Sequence, residues 1–479
     1  MSYYTPVALP FNTRRLSDGS ILGVSKSGDH AFFSDEELAW VHCSPTRLPL
    51  ERQAELSSRF FLGRDRQAPG SQRLLLSRRA AKRQTIEDGP SLHAIVPTLQ
   101  CAHSCRYCQV SRTLGGHGHT MSIRNLDMAC DAIFQSPSRA LTVEFQGGDP
   151  LIRFDLVQRA IERISARNAS ENRHIRFVVA STLHQLDDEM CRFFKEHTVF
   201  LSTSIDGPAV LHNKNRPIPT RDAYERTVEG IALARKILGH EAVSALMTTT
   251  RESLNHPEEI VDEYVRLGFR DIFLRPLSIY GFAKRNERHL RYTLEQFQEF
   301  YLRALSRVMY WSQQGVELRE IYACIILNKI MSSFDGGYVD LQSPTGAGLS
   351  ALVYNYDGYV YPSDEARMLA EVGDTSLRLG CIGEQLVTLT NSQVQQDLIR
   401  ASLVDHTPGC DKCPYNLFCA PNPIDTQAQF GTFSVPVDKT EHCRRHLWLF
   451  DHFFSWIRAA DDDLLDLFHG WASIPESAK

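Results

Sequence analysis

The chain has 479 residues, of which 43% are hydrophobic and 23% charged, and its formal net charge is −5. Such a length can bury a large core and form more than one domain. The slight acidity excludes the basic field of a nucleic-acid binder, because the basic run 73–83 is local and typical of a linker or a solvated helix face. No stretch approaches 18 uninterrupted apolar residues, so the sequence predicts no membrane span.

The first residues lack the basic-then-apolar order of a secretory signal, so we expect a cytoplasmic protein. In a reducing compartment, the twelve cysteines are expected to be ligands, catalysts or buried thiols rather than disulfides. Four of them stand alone in apolar surroundings and are predicted to be buried: Cys43, Cys130, Cys191 and Cys324. The others gather in two groups along the chain.

Residues 1–62 contain three short strand-like runs separated by Asp-Gly and Gly-Asp, which are hairpin signals. A capped helix is predicted to begin at Ser34-Asp-Glu-Glu-Leu, and a second helix over 49–61. These elements predict a compact β/α module, a possible peptide-recognition unit. Residues 63–90 are rich in Arg, Gln, Ser and Gly and are interpreted as a linker.

From residue 92, strand-like apolar runs alternate with segments of helical period. The predicted strands are 92–99, 141–145, 175–180, 199–205, 243–249 and 271–276. The predicted helices are 122–135, 154–168, 186–196, 222–237 and 256–267. Six such repeats predict a parallel sheet closing into a full or partial barrel over 91–292. Ligands of such sheets bind at the carboxyl ends of the strands, where Cys101 falls.

The remainder of the chain is divided into three parts. Residues 293–344 are predicted to form a helical bridge with two helices over 293–332. Residues 345–450 are rich in loops, Cys, Gly and Pro, which indicates a small domain stapled by metal. Residues 451–479 form the predicted C-terminal helical tail, the end of an aromatic, Leu-rich helix pair over 444–470.

The first cysteine group reads Cys101-Ala-His-Ser-Cys105-Arg-Tyr-Cys108. Thiolates select zinc, copper(I) or iron–sulfur clusters. A structural zinc site requires four ligands, and His103 could supply the fourth only through a very tight chelate. Three thiolates on a four-iron cluster leave one iron open for a small-molecule ligand. On chemistry alone the sequence favours such a cluster over zinc and over three buried cysteines.

The C-x3-C-x2-C spacing, with Tyr107 before the last cysteine, follows the first strand of a region of βα repeats. In these respects the chain resembles the radical S-adenosylmethionine (SAM) enzymes. The resemblance implies that Cys101, Cys105 and Cys108 are the catalytic ligands of a [4Fe-4S] cluster whose open iron chelates SAM. It also implies cleavage of SAM to a 5′-deoxyadenosyl radical that abstracts hydrogen from a substrate C–H bond.

Two later stretches resemble motifs of the same family. The stretch Glu144-Phe-Gln-Gly-Gly-Asp-Pro resembles the family's GGEP motif, with Asp149 in place of the usual Glu. The stretch Ser202-Thr-Ser-Ile-Asp-Gly-Pro, followed by His212 and Arg216, resembles S-x-D-G-P…H…R. Glycine leaves the backbone open to a ligand because it has no Cβ. The resemblance implies SAM contacts from Tyr107, Gln146, Gly147, Gly148, Asp149, Ser204 and Arg216.

The second cysteine group has the spacing C-x2-C-x5-C-x23-C. Four thiolates complete a closed site, with which zinc and an iron–sulfur cluster are equally compatible. The spacing resembles the SPASM domain, a C-terminal extension of peptide-modifying radical SAM enzymes that usually carries two auxiliary clusters. The resemblance implies metal ligation by Cys410, Cys413, Cys419 and Cys443.

The chain departs from the SPASM pattern at one set of positions. Thr345 and Ser363 stand where relatives place cysteines, and Asn422 or Pro423 stands where a cysteine would follow Cys419. The missing ligands all belong to one cluster. We therefore expect one auxiliary [4Fe-4S] cluster rather than two, with Cys381 not acting as a ligand.

The N-terminal unit resembles the PqqD-like modules, which bind a leader peptide as an added strand. Over nearly the whole chain, the sequence resembles the HxsB-type maturases of the His-Xaa-Ser peptide system, notably at 101–110 and 141–151. This resemblance implies a precursor peptide with a leader as substrate and a second radical SAM maturase (HxsC-like) as partner. It also implies an electron donor such as flavodoxin or ferredoxin.

The expected architecture is thus α/β, with a partial (βα)6 radical SAM barrel, an N-terminal PqqD-like module and a C-terminal SPASM-type domain. Two alternatives stay open. A sulfatase-maturating enzyme that oxidises Cys or Ser has the same scaffold but generally carries both auxiliary clusters. A non-enzymatic iron–sulfur electron-transfer protein would not need the GGDP and SIDGP stretches at strand ends.

Overall fold

The computed structural model describes residues 5–64, 69–82, 86, 88–113 and 118–473. The chain forms two compact units. The sheet unit comprises 88–322 and 347–397, and the terminal unit comprises 1–87, 323–346 and 398–479. The terminal unit therefore combines segments from the beginning, the middle and the end of the sequence.

The sheet unit is built on an eight-stranded mixed sheet. Its five consecutive parallel strands are Leu92–Thr98, Ala140–Gly147, His174–Ala180, Val199–Ser204 and Val243–Leu246. On the other side of the first strand lie Ala351–Tyr354, which is parallel to it, and then the antiparallel strands Tyr359–Tyr361 and Gly380–Cys381. The prediction of an α/β sheet with parallel strands is confirmed.

The predicted sixth strand over 271–276 is wrong as a member of this sheet. Only Asp271–Ile272 is extended, and it pairs with Arg319–Glu320 in a separate two-stranded sheet. Beyond it, the N–H of Leu274 donates to the side chain of Glu320 at 3.0 Å. Pro276 has no N–H to donate, so this run does not continue a ladder. The sheet grows instead at the opposite edge, through Ala351–Tyr354.

Helices cover one face of the sheet. Those of the sheet unit are Ile123–Ile133, Phe154–Glu171, Asp188–Glu196, Ala209–Asn215, Ala223–Leu238, Pro257–Arg266, Gly281–Arg285, Glu287–Leu290, Leu294–Gln313, Asp364–Ala370 and Leu386–Thr390. Two further helices, Ile321–Met331 and Gln393–Ser402, begin in this unit. The five helices predicted between the strands and the two predicted over 293–332 are all confirmed.

The two faces of the sheet differ in burial and polarity. Along Ala140–Gly147, Leu141, Val143 and Phe145 are buried, whereas Glu144 and Gln146 on the opposite face are only partly buried. The strand Val199–Ser204 alternates in the same way. Because parallel sheets are usually covered on both faces, an accessible polar face is typical of the lumen of a partial barrel.

The terminal unit contains the N-terminal module as predicted, with three strands and two helices. The strands Phe11–Arg15, Ile21–Ser25 and His30–Phe33 form an antiparallel sheet, followed by the helices Asp35–Cys43 and Leu50–Ser58. Ser34 and Glu37 form a capping box at the first helix. A short pair, Val7–Ala8 and Leu62–Gly63, joins the ends of the module.

Cys43 is exposed, so its predicted burial is wrong, whereas Cys130, Cys191 and Cys324 are buried as predicted. The helix Asp35–Cys43 buries Val41, and a residue two positions later points to the other side of a helix.

The other helices of the terminal unit are Pro69–Ala81, Pro423–Phe430, Glu441–Ala459 and Asp462–Ala472. The first of them occupies part of the predicted linker, and the last two confirm the predicted helix pair near the end of the chain. Over the described ranges, no helix is both long enough and apolar enough to cross a bilayer.

Candidate active site

The loop that carries Cys101, Cys105 and Cys108 follows the strand Leu92–Thr98, and backbone hydrogen bonds fix its position. Cys101 donates to the carbonyl of Thr113 at 3.0 Å. Further along, Ser104 N donates to Pro217 O at 2.9 Å and Arg106 N to Asn215 O at 3.0 Å. The loop is therefore tied to the segment that follows the fourth strand.

The three cysteines lie in a low-dielectric environment. Cys101 is buried, and Cys105 and Cys108 are partly buried. Burial raises the pKa of the Cys105 thiol to about 11, although the Arg216 guanidinium acts in the opposite direction. A thiolate is therefore favoured here only with a compensating cation, and metal ligation supplies one.

The spacing of the sulfurs is wider than a single zinc ion requires. A tetrahedral zinc site places its sulfurs about 3.8 Å apart, because each Zn–S bond is about 2.3 Å long. Among the described residues, the sulfurs of Cys101, Cys105 and Cys108 do not all lie within 4.8 Å of one another. The three sulfurs are therefore farther apart than the sulfur ligands of one zinc ion.

His103, the other zinc ligand considered, is buried between these cysteines. Its ring lies 5.6 Å from that of His184 in an edge-on arrangement. Within the part of the chain that the structure describes, neither of its ring nitrogens has a hydrogen-bond partner. Burial lowers the pKa of His103 to about 3, so the ring is neutral.

A buried triad stands beside the cysteine loop. The Tyr107 hydroxyl donates to the Asp206 carboxylate at 2.7 Å. Arg216 donates to the same carboxylate through Nε at 3.0 Å and Nη2 at 3.3 Å, and its Nη1 lies 3.9 Å from Cys105 Sγ. Arg216, predicted to contact SAM, is thus already paired with a carboxylate of the chain. Asp206 was part of the SIDGP motif but was not among the predicted site residues.

Gly147 and Gly148 let the second strand approach the cysteine loop. A Cβ on Gly147 would lie 2.5 Å from the carbonyl oxygen of Thr98, and one on Gly148 would lie 2.2 Å from that of Gln100. Gly147 also has a φ of 127°, which L-residues rarely adopt. The two glycines therefore allow close packing between the end of the second strand and the cysteine loop. They were predicted to contact SAM instead.

Asp149 is fully buried and its carboxylate accepts four hydrogen bonds from the chain. The donors on Oδ1 are Leu151 N at 3.1 Å and Ser181 Oγ at 2.7 Å. The donors on Oδ2 are Thr182 N at 3.2 Å and Thr182 Oγ1 at 2.5 Å. The carboxylate thus links the second strand to the end of the third, and most of its accepting capacity is in use.

The lumen face presents polar groups next to these strand ends. Gln146 and Ser204, both predicted SAM contacts, are partly buried on it. Glu144 lies two residues before Gln146 on the same face. Burial and the Asp364 carboxylate raise the pKa of Glu144 to about 7, and Arg275 opposes that rise. Glu144 begins the GGDP stretch but was not among the predicted site residues, because only the burial pattern reveals its environment.

The second cysteine group surrounds a cavity of about 480 Å³ in the terminal unit, lined by Cys410, Cys413, Cys419 and Cys443. Burial raises the pKa of all four thiols. Asn12 in the N-terminal sheet donates to the carbonyl of Cys413 at 3.0 Å. The four side chains and the cavity fit a metal centre.

Thr345, Ser363 and Asn422, which stand where the SPASM pattern has cysteines, each form local hydrogen bonds. Ser363 caps the helix Asp364–Ala370 by accepting from Ala366 N, and Asn422 caps Pro423–Phe430. Thr345 is buried, and its N–H donates to Ser402 Oγ at 2.8 Å. The side chains of Ser363 and Asn422 therefore have capping roles, whereas the bond of Thr345 comes from its backbone.

Comparison with known proteins agrees with this geometry. Residues 95–264 match the model of the radical SAM superfamily. The uncharacterised protein sll1766 of Synechocystis sp. is 28% identical over 222 residues, which is 44% of this chain and 54% of that protein. The serine-type anaerobic sulfatase-maturating enzyme of Klebsiella aerogenes is 26% identical over 189 residues, 39% of this chain and 46% of that enzyme. The chain thus spans about half the length of these relatives.

Two solved structures share the fold. The enzyme anSMEcpe, with bound AdoMet and the Cp18Cys peptide, has a TM-score of 0.64 at 17% identity and covers 80% of this chain and 100% of its own. SuiB of Streptococcus suis, bound to the precursor peptide SuiA, has a TM-score of 0.56 at 12% identity and covers 92% and 100%. The chain therefore carries a radical SAM domain over residues 95–264, within the α/β fold that anSMEcpe and SuiB also have.

Proposed function

We propose that the protein is a radical SAM enzyme that modifies a ribosomally made precursor peptide, of the His-Xaa-Ser type. The observation that carries the proposal is the cysteine loop at the carboxyl end of the first strand, beside a polar lumen. Cys101, Cys105 and Cys108 would hold a [4Fe-4S] cluster, and SAM would bind at its open iron. When bound, the two supply a 5′-deoxyadenosyl radical for hydrogen abstraction.

The residues around this site have separable tasks. Asp206 and Arg216 hold the cysteine loop through Tyr107, and Asp149 holds the neighbouring strand end. This leaves Gln146 and Ser204 as the side chains through which the chain itself would contact SAM. Glu144 lies deeper in the lumen and would face the substrate, where a carboxyl with a pKa near 7 can donate or accept a proton.

A peptide substrate is supported by the relatives and by the terminal unit. SuiB and anSMEcpe were each solved with a peptide bound. The N-terminal sheet and its two helices have the make-up of a PqqD-like module, which would hold the leader. We also propose a SPASM-type auxiliary [4Fe-4S] cluster on the second cysteine group, a flavodoxin or ferredoxin as electron donor, and an HxsC-like partner maturase, all in the cytoplasm.

The first experiment is anaerobic incubation with SAM and dithionite, with 5′-deoxyadenosine measured by chromatography. The wild type should form it, and Cys105→Ala should not. Cys191→Ala is the matched control, because Cys191 is buried in a helix outside the site and should leave formation intact. Formation at the wild-type rate by Cys105→Ala would refute the assignment of the site.

The second experiment identifies the substrate. A candidate peptide encoded beside the gene is analysed by mass spectrometry before and after reaction. A mass change in the peptide that requires both SAM and Cys105 supports the proposal that the substrate is a precursor peptide. Abundant 5′-deoxyadenosine without any change in such peptides would count against that substrate class while leaving the radical chemistry in place.

A sulfatase-maturating activity is the second candidate, because the identified relatives include such an enzyme. In that case, a peptide with the sulfatase Cys or Ser motif would be oxidised with loss of two hydrogens. Ser363 and Asn422 stand where the SPASM pattern expects ligands of a second auxiliary cluster, and their side chains cap helices. Because sulfatase-maturating enzymes are expected to carry both clusters, these positions support the first proposal.

A further inference from the structure

A buried pair of histidines faces the second cysteine group. His442 and His446 lie four residues apart on the helix Glu441–Ala459, so their side chains share one face. Their rings are 4.2 Å apart, and their exposed fractions are 5% and 2%. In the described ranges of the chain, one set of three donor atoms from Cys, His, Asp or Glu lies mutually within 4.8 Å, and it joins these rings to Cys419 Sγ.

Backbone carbonyls select the tautomer of each ring. His442 Nε2 lies 2.9 Å from the carbonyl oxygen of Ala420, and His446 Nδ1 lies 2.8 Å from that of His442. A carbonyl only accepts, so a hydrogen bond at either contact takes its proton from the ring nitrogen. In a ring protonated at that nitrogen alone, the lone pair belongs to the other one, which is Nδ1 in His442 and Nε2 in His446. Histidines that bind metals are oriented by carbonyl partners in this way.

We propose that Cys419, His442 and His446 are ligands of a single metal ion of borderline softness, Zn²⁺ or Fe²⁺. Thiolate and imidazole are the donors that such ions take in tetrahedral sites, and the spacing His442-x3-His446 is one that zinc sites use. The cavity lined by His442 and the four cysteines leaves room for a fourth ligand.

The ion would be an addition to the proposed auxiliary cluster, with the Cys419 sulfur shared between them. This inference does not rest on peptide modification or on SAM cleavage, because ligation of the ion needs only residues of the terminal unit. It does touch the proposed ligand set of the auxiliary cluster, and the experiment below separates the two.

The test uses the full chain with Cys101, Cys105 and Cys108 changed to Ala, so that metal at the first site is removed. The protein is loaded anaerobically with iron, sulfide and Zn²⁺, and metal and sulfide are counted per chain. X-ray absorption at the zinc and iron edges then separates imidazole from thiolate, because Zn–N bonds are about 2.0–2.1 Å and Zn–S bonds about 2.3 Å.

The paired substitution His442→Gln with His446→Gln removes both imidazoles while keeping a side-chain amide near each carbonyl. We expect it to weaken binding of the ion by at least tenfold and to abolish the imidazole signal. His452→Gln is the matched control, because this residue is partly buried on the same helix, six positions beyond His446, and should leave the ion in place.

Absorption by the parent chain decides the question even if the paired variant fails to fold. An ion with mixed sulfur and nitrogen ligands supports the proposal, with or without sulfide. With sulfide, the auxiliary cluster also stands, and without sulfide it falls while the ion remains. A centre with sulfur ligands alone, or no bound metal, overturns the proposal whatever the outcome for SAM cleavage.

Discussion

Replacing Asp149 with Asn changes its hydrogen bonding without much change in size. The amide keeps one acceptor oxygen and puts an NH2 group in place of the other. The hydroxyls of Ser181 and Thr182 can rotate to accept from that group, but the backbone N–H of Thr182, 3.2 Å from Oδ2, cannot. One buried donor is therefore left unsatisfied, and the charge that strengthened the other bonds is removed.

The size of the effect follows from these bonds. Hydrogen bonds to a charged group contribute about 1.5–3 kcal/mol each, and an unsatisfied buried donor costs about 1–3 kcal/mol. Rotation of the two hydroxyls recovers part of the loss at Asp149. We therefore expect the strand end at Ser181 and Thr182 to lose about 2 kcal/mol of local stability, which corresponds to about 30-fold faster amide exchange.

Hydrogen exchange read by mass spectrometry on peptides covering 181–186 measures this directly. Ser181→Ala removes one hydroxyl donor to Asp149 and also the acceptor of the Leu183 N–H at 2.9 Å, so it should accelerate exchange at Leu183 as well as at the strand end. Calorimetry with SAM is run on the same samples. Unchanged exchange in Asp149→Asn together with a large loss of SAM affinity would refute the reasoning, because the carboxylate would then act on SAM rather than on the strand.

Three further changes test other parts of the site. Gly148→Ala places a Cβ 2.2 Å from a backbone oxygen of the cysteine loop, so iron and sulfide content should fall, whereas Gly70→Ala, with no atom within 4 Å, should not alter it. Tyr107→Phe removes a buried donor to Asp206 and should lower the unfolding free energy by about 1–3 kcal/mol, measured by denaturant titration. Glu144 has its pKa raised from 4.5 to about 7, so its stabilising protonation is complete below about pH 4.5 and lost as the pH rises through 7. The thermal midpoint of Glu144→Gln, relative to wild type, should therefore rise between pH 5 and pH 8, and a flat difference would contradict the raised pKa.

The strand order was predictable only where local periodicity and pairing agree. The five strands from Leu92 to Leu246 each precede a helix, and that alternation suffices to place them in one parallel sheet. Ala351–Tyr354 is a four-residue run after a Gly- and Ser-rich stretch, and its partner strand lies 259 positions earlier. Nothing local encodes such a pairing, so this run was predicted to belong to the metal-stapled domain instead.

The candidate site divides in the same way. The cysteine spacing and the two glycines can be recognised in the sequence, because each of these positions admits few residue types. The roles of Asp149 and Arg216 could not be recognised in the sequence. A carboxylate or guanidinium group in a motif looks the same in a sequence whether it binds a ligand or another part of the chain. Only the positions of Ser181 and Asp206 show that the Asp149 carboxylate is hydrogen-bonded and that the Arg216 guanidinium is ion-paired within the chain.

The two histidines near the second cysteine group could not be predicted as metal ligands from the spacing of residues in the sequence. His442 stands next to Cys443, and the four-cysteine pattern accounted for that neighbourhood without it. The helical period places His442 and His446 on one face. Several aromatic residues of the same helix are also buried, so burial at this spacing does not by itself identify metal ligands. The decisive facts are that Cys419, from a different segment, meets that face and that carbonyls orient both rings. A candidate ligand set is therefore defined by which donor atoms lie close together in space. Sequence spacing reveals such a set only when all the ligands are close together in the sequence.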